Sequence, residues 1–153
     1  SGRMTIINGS ALLRAAPLSP MIATKERAHG VSHGLSEAGY DLRIKQAVTL
    51  TPENRFTLVS TVERFQMPPD LIGIVHDKST WARQGLSVFN TVIESGWEGW
   101  LTLELVYHGN GTLHIPAGAG IAQVIFHRIE EPASYSGKYQ GQADQPVAAI
   151  MEG

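Results

Sequence analysis

Short apolar runs separated by Gly, Pro and Asn dominate this chain, and they leave room for strands rather than long helices. Strand-like segments fall at Tyr40–Ile44, Phe56–Val62, Leu71–Val75, Leu86–Phe89, Trp100–Tyr107, Thr112–Ile115 and Ile121–Ile129, most of them bounded by turn residues. That pattern predicts a closed or sandwiched all-β domain, mainly β with short helices. Asn8-Gly9-Ser10 followed by Ala11 to Ala16 reads as a capped short helix stopped by Pro17 and Pro20. Ser79 to Arg83 supplies one further helical turn. Ala23 to Glu37 mixes charge, His and Gly and is expected to form a long loop. Ser1-Gly2-Arg3 ahead of Met4 reads as a cloning remnant, which leaves a single domain over residues 4–153.

Composition removes several classes of function. A 153-residue chain with 42% apolar and 17% charged residues can bury a real core and is globular rather than disordered. Twelve basic residues against 14 acidic ones create no general attraction for polyanions, so long nucleic acid is not an expected partner. A small phosphorylated ligand needs only a few local donors and stays open. No apolar run approaches the roughly 20 residues of a membrane span, and no secretory segment is visible, so a cytoplasmic location is expected. The absence of cysteine removes disulfides and any His/Cys zinc centre. His29, His33, His76, His108, His114 and His127 are scattered without H-x-E or H-E-x-x-H spacing. No metal held directly by the protein is expected.

Three constellations carry chemistry. In Trp100-Leu101-Thr102-Leu103-Glu104-Leu105-Val106-Tyr107, alternation puts Leu101, Leu103 and Leu105 on one face and Glu104 on the other with Thr102 and Val106. A sheet can then bury the leucines and present Glu104 either to solvent or to a pocket, where desolvation would raise its proton affinity. The turn Gly96-Trp97-Glu98-Gly99 just ahead is a place where a ligand can approach backbone closely. In the helical turn after Lys78, Ser79 and Arg83 stand four residues apart on one face. They form either an anion site with Lys78 or an ordinary cap and surface cation. The segment Val88 to Trp97 has strand–turn–strand character, and Trp97 either stacks on a ligand or packs at a subunit interface. The tail from Tyr135 to Gln142 carries Gly, Gln, Lys and two Tyr. It reads as a mobile segment or as a flap that closes over phosphates.

Taken in order, these segments resemble the dCTP deaminase branch of the dUTPase/dCTP deaminase superfamily. Ala38-Gly39-Tyr40-Asp41-Leu42-Arg43 is similar to the motif shared by both branches. Lys78 to Leu86 resembles the deaminase pattern R-S-S-L-A-R-x-G-L, and Gly96 to Gly99 with Thr102 to Leu105 resembles G-W/F-x-G…T-L-E-L. Gly118 to Gln123 followed by Val124-Ile125-Phe126 is similar to the G-x-x-I-x-Q segment, and Lys138 to Gln142 matches K-Y-Q-G-Q. The resemblance implies a homotrimer of distorted jelly-roll or β-barrel subunits, with sites between subunits and a magnesium-bound deoxynucleoside triphosphate as substrate. It implies Glu104, Ser79 and Arg83 as catalytic residues, with Glu104 moving the proton of an attacking water. It places Lys78, Gln123, Tyr135, Lys138 and Gln142 on or near triphosphate-contacting positions. It further implies substrate-binding roles for Thr91, Val92, Glu94 and Trp97 of the hairpin, where exposed backbone would read a base edge and Trp97 would stack on sugar or base. Mg2+ would ride on phosphate oxygens and water, with Asp41 in its outer shell.

Two departures qualify the activity. The stretch between Arg83 and Glu104 has the shorter, dUTPase-like length, and Val92-Ile93-Glu94 stands where dUTPases carry V-I-D. The glycine-rich final motif of dUTPases is missing. The expected activity is therefore dCTP deamination to dUTP and ammonia. A dUTP diphosphatase, or a bifunctional enzyme giving dUMP, is the first alternative, and a non-catalytic nucleotide-binding regulatory module is the second.

Overall fold

A computed structural model describes residues 5–89 and 91–152. Residues 1–4, among them the expected remnant Ser1-Gly2-Arg3, Asn90 of the hairpin, and Gly153 lie outside the described residues. In chain order the elements are β1 (Ile6–Ile7), α1 (Gly9–Ala15), β2 (Leu18–Ser19), β3 (Lys25–Ala28), β4 (Val31–Leu35), β5 (Tyr40–Arg43) and β6 (Val48–Leu50). There follow β7 (Phe56–Gln66), β8 (Leu71–Asp77), α2 (Ser79–Ala82), β9 (Leu86–Val88), β10 (Val92–Ile93), β11 (Glu98–Tyr107), β12 (Leu113–Ile115) and β13 (Gly120–Arg128). The result is an all-β distorted jelly-roll. One antiparallel sheet runs β10-β8-β13-β5-β4-β3 with β1 also on β13, a second runs β2-β7-β11-β9, and β12 pairs with β6.

Alternation explains which faces are buried. Leu103, Leu105 and Tyr107 of β11, Val59 and Phe65 of β7, Tyr40 and Leu42 of β5, and Val124 and Phe126 of β13 enter one apolar cluster fed by both large sheets. The sheets are tied where Arg43 donates from its backbone N and its Nε to the Glu63 carboxylate, at 3.0 and 2.8 Å. Glu63 is fully buried, and burial pushes its carboxyl up while the Arg43 guanidinium opposes that shift.

Three expectations need correction. Residues 23–37 are not a long loop. They form the β3–β4 hairpin, whose two-residue turn His29-Gly30 has φ of 56° and 76°, both in the left-handed region. The strand pattern is hidden because β3 is an exposed, charged edge with no apolar face. The cap of α1 is also different: the Asn8 side chain makes no cap bond and its Nδ2 donates to Glu37 O at 2.8 Å. Finally, strict alternation breaks at Leu101: beside a register shift between Trp100 and Thr102, with Leu101 N donating to Thr61 Oγ1 at 3.2 Å, Leu101 is only partly buried, packing against the core cluster while also lining the cavity described below.

Candidate active site

The face of β11 opposite the core row forms the floor of a cavity of about 540 Å³, within the ~300–1,000 Å³ range of small-molecule sites. Leu101, Thr102 and Glu104 line it from β11, and Phe56 and Leu58 line it from β7. Pairing explains the company: Leu58 lies opposite Glu104 and Phe56 opposite Val106. Thr91, Val92, Glu94 and Trp97 contribute from the hairpin, and Tyr135, Tyr139, Gln142, Val147 and Ala149 from the C-terminal segment.

Glu104 is the chemically exceptional group. Its backbone is held on both sides, facing Leu58 on β7 and accepting from Phe89 N at 3.1 Å. Its Oε2 is buried without a hydrogen-bond partner among the described residues. Loss of water there raises the carboxyl above the ordinary carboxylate range, partly offset by its own backbone amide. Thr91 Oγ1 is likewise buried and unpartnered on the same cavity. A ligand that fills this space must therefore answer a carboxyl group and a hydroxyl. Glu94 adds a second carboxylate, and none of the lining residues is basic.

The C-terminal segment lies directly on β11. Gly99 has φ +136°, and a Cβ there would meet Gln142 N at 2.6 Å, so the close approach expected of a ligand is made by the chain's own tail. Gln142 forms a parallel bridge with Gly99, and its O accepts from Trp100 N at 3.2 Å. Trp97 packs against Phe65 in the core with ring centroids 5.9 Å apart, lines the cavity, and donates from Nε1 to Tyr139 O at 2.6 Å. The Gln140 side chain clamps the turn, accepting from Glu98 N and donating to Gly96 O and Tyr135 O. Lys138 stands outside the cavity, with Nζ 5.4 Å from the Tyr139 ring centre.

The remaining expected residues gather elsewhere on the chain. Asp41 of β5 and Gln123 of β13 are cross-strand partners. Lys78 Nζ pairs with Asp41 Oδ2 at 2.8 Å and donates to Ser32 Oγ at 3.2 Å, with both charged side chains nearly buried. Gln123 Nε2 donates to Ser36 Oγ at 2.9 Å. Lys78 occupies the N-cap position of α2 without a side-chain cap bond, and Ser79 and Arg83 are exposed on that turn. Neither Ser79 nor Arg83 lines the Glu104 cavity within one chain. The sequence reading missed Phe56, Leu58, Tyr139, Val147 and Ala149. The first two are revealed only by strand register, the others only by the path of the tail.

A family model described as dCTP deaminase-like matches residues 41–129, which include Asp41, Lys78, the α2 turn, the hairpin, Glu104 and Gln123. The chain belongs to the dCTP deaminase-like family. The dCTP deaminase of Helicobacter pylori strain G27 is 31% identical over 170 residues, covering 88% of this chain and 90% of the relative. That of Herpetosiphon aurantiacus is 34% identical over 166 residues, covering 87% of this chain and 90% of the relative. The native EIAV dUTPase shares the fold at a TM-score of 0.57 and 22% identity, covering 79% of this chain and 96% of its own. The chain is thus an enzyme-family member on a dUTPase-like scaffold.

Proposed function

We propose that this dCTP deaminase-like protein hydrolyses the cytosine C4 amino group of dCTP, giving dUTP and ammonia, with Glu104 as the proton-transfer group. The observation that carries the reading is the buried, unpartnered Oε2 of Glu104 in a cavity of nucleotide-binding dimensions. Burial brings the carboxyl closer to neutrality, where a group can both take and return a proton. Glu104 takes a proton from water as its oxygen bonds to C4, and delivers it to the nitrogen that leaves as ammonia. No cysteine is present to build a His/Cys zinc centre, which supports a zinc-independent route.

A cavity holding Glu94 and Glu104 and no basic side chain is poorly suited to a triphosphate by itself. Exposed Ser79 and Arg83, beside the Lys78–Asp41–Gln123 group, supply the missing donors if a second copy brings its α2 turn to the cavity rim. Exposed Phe56, Phe89 and Val92 give that rim an apolar surface for such a copy, in keeping with a homotrimer. Arg83 then supports charge developing on the ring and Ser79 orients the water. Among the described residues no three His, Cys, Asp or Glu side chains gather to hold an ion. Magnesium is assigned to the substrate, carried by phosphate oxygens and water as this ion prefers, with Asp41 assigned to its outer shell by the sequence resemblance.

One observation favours a second reading. Glu94 lines the same cavity, and by sequence resemblance it answers to the V-I-D aspartate of dUTPases, so a bifunctional enzyme would carry dUTP on to dUMP. Incubation with dCTP and dUTP separately tests both readings. Ammonia and dUTP from dCTP support deamination, and pyrophosphate from dUTP that Glu94→Ala abolishes supports the second activity. Nucleotide binding without turnover of either would support a regulatory module instead.

A further inference from the structure

We propose that Thr102 is a positioning residue whose hydroxyl latches the C-terminal segment over the Glu104 cavity. Thr102 is 8% exposed and sits two residues before Glu104 on the same strand, lining the same cavity. Its Oγ1 donates to Gln142 Oε1 at 2.9 Å and accepts from Val147 N at 3.0 Å. A threonine hydroxyl has one donor and two acceptor sites, so both bonds are made at once. Gln142 and Val147 are themselves walls of the cavity, and one side-chain atom therefore fixes both ends of the crossing segment.

The position of the other ties makes this bond decisive. Trp97, the Gln140 side chain and the Gly99 bridge hold residues 139–142. Past Gln142, among the described residues, the segment is tied by Lys45 on Asp144, by Thr102 on Val147 and, beyond the cavity wall, by an exposed bond from Ile150 N to the Tyr139 hydroxyl at 3.0 Å. Both charged side chains of the Lys45–Asp144 pair are more than two-fifths exposed, so water and salt weaken it. The Val147 bond is part-buried. Removing the Thr102 hydroxyl leaves residues 145–149 held only by the exposed ties at Asp144 and Ile150, loosens the Val147 and Ala149 wall of the cavity, and admits water beside Glu104. Closure then has to be completed by the nucleotide, and apparent substrate affinity falls.

The turnover part of this inference rests on the dCTP reading; the latch itself does not. The test compares wild-type protein, Thr102→Val, which keeps the shape and loses the hydroxyl, and Thr102→Ser, which restores the hydroxyl. Amide hydrogen exchange at Val147 is followed without nucleotide, and KM and kcat are measured with dCTP. We expect Thr102→Val to raise exchange at Val147 about tenfold, equivalent to ~1.4 kcal/mol. KM should rise by a similar factor while kcat changes less than about twofold, and Thr102→Ser should recover both values. Unchanged exchange in Thr102→Val, or failure of Thr102→Ser to restore protection, overturns the latch. If Thr102→Val does not fold, Val147→Pro removes the same amide donor from the tail side. Loss of the latch should also speed exchange at Ile150, whose amide donates to the Tyr139 hydroxyl behind it, and wild-type exchange there in that variant likewise overturns the latch. A protein that shows the exchange pattern without turning over dCTP keeps the latch and loses the deaminase reading.

Discussion

Replacing Glu104 by Gln separates chemistry from folding. The substitution keeps the side-chain length and leaves the strand pairing at positions 58 and 104 intact, but the amide cannot accept and return a proton. General acid–base groups contribute ~10²–10⁴ in rate. Here one carboxyl is assigned both proton transfers, so we expect kcat to fall by at least about 10³, or ~4 kcal/mol of barrier. Stability should move the other way. Burial favours the protonated form of Glu104 in the folded chain, so its folded pKa lies above the unfolded one. Between those two values the folded state holds more protons, and stability falls as pH rises through the window. Gln does not titrate. The variant should therefore come closest to wild type at about pH 3, below the ordinary carboxylate pKa where Glu104 is protonated in both states, and melt higher than wild type at about pH 8. Ammonia release from dCTP, equilibrium dCTP binding and thermal unfolding at the two pH values check these expectations together. A folded, dCTP-binding Glu104→Gln protein that releases ammonia within tenfold of the wild-type rate would refute the assignment.

Further outcomes follow from the same geometry. The acid limb of kcat/KM should lie above the ordinary carboxylate range, since Glu104 must be ionised to accept a proton; Leu101→Asn, which makes the cavity wall more polar, should move that limb to lower pH in a pH–rate profile. Mixing separately inactive Glu104→Gln and Arg83→Ala chains should restore about a quarter of wild-type deamination if sites form between copies of a randomly assembled ring, and none if each chain builds its own site. Tyr40→Phe removes a fully buried hydroxyl that accepts from Ile22 N at 2.9 Å. It should cost roughly 1–3 kcal/mol, read as a Tm lower by ~2–4 °C per kcal/mol, with little effect on turnover.

The sequence carried Glu104 because a carboxylate set against alternating leucines is a local signal. The same alternation placed Leu101 with the core but not on the cavity it also lines. Beside that position lies a register shift where Leu101 N bonds Thr61 Oγ1, a partner 40 residues away that no local pattern identifies. The β3–β4 hairpin escaped notice for a different reason: a charged edge strand has no apolar period, and the His29-Gly30 turn is legible only once both φ values are known to be positive. In the tail, K-Y-Q-G-Q was legible as a motif. Its path was not, because it is fixed by long-range bonds from Trp97, Gln140 and Thr102. Ser79 and Arg83 were legible as a spaced pair because their separation is local to α2; within one chain they do not line the Glu104 cavity, and bringing them there is left to the proposed meeting of copies.

On the proposed reading, the half-buried Glu104 carboxyl carries out this deamination without zinc. The most direct measurement is the yield of dUTP and ammonia from magnesium-bound dCTP, using purified protein with a zinc-selective chelator present throughout. We expect equimolar dUTP and ammonia at the rate seen without chelator. Unchanged dCTP, or activity that disappears with the chelator and returns with added zinc, would contradict the account.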